Sequence, residues 1–191
     1  MQNKKWLFVL IAVFLIFGCG KERDEMEFNV KPELLAARYQ NNTFGFSFSP
    51  PKGCTELPDS LAKPLAEQLK SNISATQDIS VEPVKFFVNE EDMLICIVSE
   101  LKNFQANDGS IQQYQQMIRQ TARNNNIQQT SYHYHKFQIF QSLIMSDEMV
   151  QFKLFIPQGE KPSFQLDYVV PRAAYVKYME AIESSIGSIE K

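Results

Sequence analysis

VEPVKFFVNEEDMLICIVSEL, residues 81–101, decides the fold. Two apolar runs, Val81 to Val88 and Met93 to Leu101, flank Asn89, Glu90, Glu91 and Asp92. Short runs rich in Val, Ile and Phe around a polar stop read as two strands, so the stretch is a hairpin with an acidic turn. In the second run Met93, Ile95 and Ile97 alternate with Leu94, Cys96 and Val98, so both faces of that strand are apolar. A strand of this kind is central and covered from both sides.

Upstream, Leu61, Leu65 and Leu69 recur every four residues beside Ala62 and Ala66, which predicts a helix over about 60–70 burying one stripe. Pro64 falls in its first turn, where a missing N–H is tolerated. Phe44, Phe46 and Phe48 alternate with Gly45, Ser47 and Ser49, a half-buried strand stopped by Pro50, Pro51, Lys52 and Gly53. A short helical turn is expected from Pro32 to Tyr39. Downstream, Asn107, Asp108 and Gly109 form a turn, and Ser110 with Gln113 resembles a capping box. The helix that follows has Ile111, Tyr114, Ile118 and Thr121 or Ala122 on one face, and a glutamine-rich, solvated face opposite. Phe137–Met145 and Met149–Ile156 form a hairpin across Ser146, Asp147 and Glu148, and Phe164–Val170 is a further strand. Pro171 opens a last helix in which Tyr175, Tyr178, Met179, Ile182 and Ile186 form the packing face.

The order strand, helix, hairpin, helix, hairpin, strand, helix gives an α+β domain: an antiparallel sheet of about six strands with helices on both faces, an α/β/α sandwich. The phrase NTFGFSFSPPKG at 42–53, the long helix after Ser110, and the ending from Leu166 to Ile189 with Pro171 and Ser184, Ser185, Ile186, Gly187 resemble the PsbP-like fold over roughly 40–189. That resemblance implies a non-catalytic accessory or assembly role, with metal binding in some members.

The chain opens with Lys4 and Lys5, an apolar run from Trp6 to Phe17, then Gly18 and Cys19. The run is too short to span a bilayer, which takes about 20 apolar residues, and has the parts of a secretory signal. Its ending, Leu15, Ile16, Phe17, Gly18, Cys19, resembles the bacterial lipoprotein lipobox, with Ile16 three before the cysteine and Gly18 directly before it. The resemblance implies that residues 1–18 are a signal peptide, that Cys19 is diacylated and becomes the new N-terminus, and that 19–40 is a lipidated tether to a globular domain at 41–191. Two or more acyl chains give stable membrane anchoring. Gly20 stands where an Asp would retain an enterobacterial lipoprotein in the inner membrane, which favours the outer membrane.

Lys4 and Lys5 leave with the signal, taking the formal charge from −3 to −5, and there is no basic stripe, which argues against nucleic acid as a partner. In an exported compartment Cys54 and Cys96 either form a disulfide or stand as two buried thiols. There is no GxSxG elbow, phosphate-binding glycine loop, HExxH or zinc-spaced cysteine pair. His133 and His135, interleaved with Tyr132 and Tyr134, would share one face of a strand and together offer two imidazoles to Zn²⁺ or Cu²⁺; the plainer reading is an exposed polar strand. Glu90, Glu91 and Asp92 lack the EF-hand pattern and read as a solvated turn. The expectation is an envelope lipoprotein, held to the membrane by lipid, that binds another envelope protein without catalysis or cofactor. The alternatives are an envelope hydrolase using His133 or His135 as base, and a small-molecule or metal carrier with an apolar cavity between sheet and helices.

Overall fold

The computed structural model describes residues 26–72, 79–122 and 125–191; Ile16, Gly18 and Cys19 lie outside the described residues. The strands are β1 (Tyr39–Asn41), β2 (Phe46–Phe48), β3 (Thr55–Glu56), β4 (Ser80–Asn89), β5 (Leu94–Lys102), β6 (Asn126–Tyr134), β7 (Phe137–Met145), β8 (Met149–Ile156) and β9 (Phe164–Pro171). The helices are α1 (Asp59–Asn72), α2 (Asp108–Ala122) and α3 (Tyr175–Gly187). β1 and β2 form a two-stranded unit, and the other seven strands form one antiparallel sheet in the order β3-β4-β5-β9-β8-β7-β6. The hairpin at 81–101 is β4–β5, and β5 lies inside the sheet beside β9.

Period-two alternation sorts the sheet into two faces. Leu94, Cys96 and Val98 of β5 share one with Leu166, Tyr168 and Val170 of β9 and with Val150, Phe152 and Leu154 of β8. α3 covers this face with Tyr178, Ala181, Ile182 and Ile186, and β2 lays Phe46 and Phe48 on it. α2 covers part of the second face, packing Tyr114, Ile118 and Ala122 against Val81, Leu101, Ile144 and Phe155. The α+β class with helices on both faces is therefore present, with seven strands in the main sheet rather than about six.

Several local expectations change. The run Phe44–Ser49 does not join the main sheet: β2 pairs with β1 and turns its phenylalanines onto the sheet face. The helical turn shrinks to one 3₁₀ turn, Pro32–Leu34, because the Ala36 N–H is taken by the Pro50 carbonyl (2.8 Å) and the chain runs on as β1. α2 starts earlier than expected. Asn107 caps it, its Oδ1 accepting from the Ser110 N–H at 2.9 Å, the bond an N-cap makes to the third helical residue. Leu61 is 59% exposed at the start of α1, so the expected stripe does not bury its first member. Residues 26–40, expected as tether, pack on the domain: Phe28 sits edge-on to Tyr134 (4.9 Å), and the Lys31 N–H reaches Ser184 Oγ at 3.2 Å. Gly187 permits this seat, since a Cβ there would lie 2.5 Å from Phe28 Cβ.

Candidate functional site

α2 covers only part of the second face and leaves a corner of it open. The row Ser99, Gln165, Phe155 is fully buried. The next rows, Ile97–Asp167–Lys153 and Ile95–Val169–Gln151, share its face by register, and Met149 pairs with Pro171 beyond them. Ile95, Ile97, Val169, Pro171 and Met149 are half-buried, although their chain neighbours on the α3 side are fully buried. Met93 stands at the end of this stripe, 65% exposed, and lines a shallow groove with Pro171, Ala173, Ala174 and Lys177. Its φ of +55° is uncommon for a bulky side chain. A contiguous run of accessible apolar side chains on a rigid sheet is a feature of interaction sites.

A polar chain borders the covered part. Tyr114 Oη donates to Gln165 Oε1, Gln165 Nε2 donates to Asp167 Oδ2 at 2.6 Å, and Lys153 Nζ reaches Asp167 Oδ1 at 3.2 Å. Burial, reinforced by the Asp167 carboxylate, pushes the Tyr114 phenol well above its ordinary pKa, so it stays a donor. Asp167 is 5% exposed, and each of its two carboxylate oxygens has one of these partners.

The open corner ends in two acidic turns. Glu90, Glu91 and Asp92 join β4 to β5, and Asp147 and Glu148 join β7 to β8, all at the end of the sheet where Met93, Pro171 and Met149 lie. Asp92 is tied to α3: Lys177 Nζ and Tyr178 Oη each reach its Oδ2 at 2.5 Å, and Asn89 Nδ2 donates to Tyr178 Oη at 3.0 Å. Lys177 first, then Tyr178, lowers the Asp92 pKa below the ordinary carboxylate value. A lowered folded-state pKa contributes stability above the unfolded pKa, lost as pH falls through the folded value. NMR titration will find the Asp92 midpoint below the ordinary aspartate value, and Lys177→Ala will raise it toward that value; an unchanged midpoint in the variant would contradict the pairing.

His133 and His135 do not share a face. β6 ends at Tyr134, and His135 sits in the turn with φ +50°, its ring packed on Tyr134 at 4.2 Å. The two-residue alternation on which the shared site depended stops one residue too early. Among the described residues no group of three or more His, Cys, Asp or Glu is placed to hold a metal ion.

Of the two cysteine readings, the structure carries free thiols. Cys54 immediately precedes β3 and Cys96 lies on β5, with β4 between them. Two strand spacings of about 4.8 Å exceed the roughly 7 Å Cα separation a disulfide tolerates. Burial pushes the Cys54 thiol up to about 12 and Cys96 well above its usual value. Alkylation at pH 8 mapped by mass spectrometry should leave both unlabelled in the folded protein and label both in urea; fast labelling of either in the folded state would contradict the packing.

A further groove of about 430 Å³ lies among Leu101, Phe104, Asn107, Gln158, Lys161 and Ser163, between the start of α2 and the β8–β9 loop rather than between sheet and helices. The site that sequence reasoning missed is the open corner, because a strand apolar on both faces was expected to be covered on both.

These features define an α+β protein built on one antiparallel sheet, with part of one face left accessible. No family model matches the chain, and no curated protein matches it. Among solved structures it is similar to the solution structure of cyanobacterial PsbP (CyanoP) from Synechocystis sp. PCC 6803. The identity is 9% and the TM-score 0.46, over 92% of this chain and 98% of that one.

Proposed function

We propose that the chain is an envelope lipoprotein, anchored through acylated Cys19, whose domain is a non-catalytic module that binds another envelope protein on the open corner of its sheet. The observation that carries this reading is the accessible stripe of Met93, Ile95, Ile97 and Val169 beside the two acidic turns. The partner surface it fits is apolar and flanked by Lys or Arg. The anchor rests on Ile16, Gly18 and Cys19, with Lys21 to Glu25 as tether and the outer membrane favoured by Gly20. The geometry supports the pairing of anchor and surface. The N-terminal segment meets the sheet at His133, where the Met26 N–H bonds its carbonyl at 3.0 Å. The open corner begins at the level of Gln129, four residues away along β6 and so about 13 Å from that point.

The anchor is tested by mass analysis of membrane-extracted protein with and without Cys19→Ala. The expected wild-type species starts at Cys19 and carries acyl chains, and the variant carries none. A wild type that retains residues 1–18, or has no acyl chain, overturns the anchor.

A further inference from the structure

The two edges of the main sheet differ. On the β4 side β3 pairs for two residues, the Leu57 N–H then bonds the Phe86 carbonyl, and α1 runs on alongside β4, whose Pro83 sits at a bulge. β6 forms the other edge, and among the described residues no strand lies beyond it. Natural edges are commonly blunted by lysine, proline or a bulge. Residues 125–132, NNIQQTSY, contain no charge, no proline and no glycine, and β6 pairs with β7 without a register shift.

One hydrogen bond fixes which backbone groups of β6 point outward. In an antiparallel pair alternate residues direct both N–H and C=O away from their partner. The His133 carbonyl is one of these, since it accepts from Met26. Ile127, Gln129 and Ser131 have the same parity, so their donors and acceptors form an outward row ended at His133 by Met26. Gln129 is pinned on the α2 side, its Nε2 donating to the Gln115 carbonyl and to Ser142 Oγ.

We propose that β6 pairs antiparallel with β6 of a second copy of this chain, about a twofold axis at Gln129. The row is self-complementary: Gln129 faces Gln129 and Ile127 faces Ser131, each pair exchanging both backbone bonds, and no like charges oppose within the strands. The opposite edge is covered by β3 and α1, so the pairing closes at a dimer instead of growing into a fibre. The inference is independent of the lipid anchor and of the open corner.

Protein extracted in detergent, followed by sedimentation equilibrium with the bound detergent matched out, should reach twice the chain mass that mass spectrometry gives for the same sample. Ser131→Pro removes an outward donor without touching the bonds to β7, so it should keep the fold and weaken the dimer about tenfold or more. Residues directly opposite in such a pair have Cα atoms about 5.5 Å apart, within disulfide range. A mixture of Ile127→Cys and Ser131→Cys chains under mild oxidation should give a linked dimer that neither variant gives alone. A protein monomeric to high concentration, or a dimer indifferent to Ser131→Pro and not trapped by the mixture, overturns the proposal.

Discussion

Phe164→Ala will lower the unfolding free energy by about 3–5 kcal/mol, the range for deleting a fully buried phenylalanine. Phe164 is wholly buried at the start of β9 and stacks on Phe46 with ring centroids 4.1 Å apart and planes 13° apart. Phe44 stacks on it at 5.7 Å, and Phe137 meets it edge-on at 6.1 Å. These contacts join the β1–β2 unit to the main sheet, so the cavity loosens a seam and not only one side chain. Hydrogen exchange should therefore speed up in β1 and β2 more than in β4 or β5. A domain of this size has about 5–15 kcal/mol in all, which leaves the variant marginal. Phe164→Leu should cost clearly less. A urea midpoint for Phe164→Ala close to wild type would contradict this packing.

Asp167→Ala will cost about 2–3 kcal/mol and Asp167→Asn about half of that. Removing the carboxylate strands the buried Gln165 amide and leaves the Lys153 ammonium without its partner. Breaking a fully buried ion pair costs about 3–5 kcal/mol, but the Lys153 side chain is 24% exposed and can turn its charge to water. The loss therefore falls nearer the range of charged hydrogen bonds, about 1.5–3 kcal/mol. Asparagine keeps an acceptor for Gln165 and loses only the charge. Urea denaturation of both variants gives the order, and a more stable Asp167→Ala protein would contradict the role of this chain of bonds.

The parts of the fold legible in the sequence were those where one periodicity prevailed. The 81–101 hairpin, the Tyr114–Ile118–Ala122 face of α2 and the Tyr178–Ile182–Ile186 face of α3 all follow from spacing alone. β6 did not, because Asn126–Ser131 offers one apolar residue, Ile127, and its strand conformation comes from the ladder with β7. The start of α2 moved because Asn107 and Ser110 are both competent caps, and local chemistry does not rank them. The histidine pair depended on where a strand ends, which one left-handed residue decides. The open corner was hidden for a different reason. Ile95 and Ile97 have the same apolar pattern whether a helix of this chain or another protein covers them.

That last ambiguity is what the proposed function turns on, and one measurement addresses it. A photo-cross-linking side chain is placed at Val169 in the open corner and, as a control, at the exposed Glu183 on α3, against the opposite face. Irradiation of intact cells should give one discrete adduct with an envelope protein from Val169 and none from Glu183. Adding Ile95→Lys, which sets a charge beside Val169 in the register, should abolish it. No adduct from Val169, or the same adducts from both positions, would contradict the account.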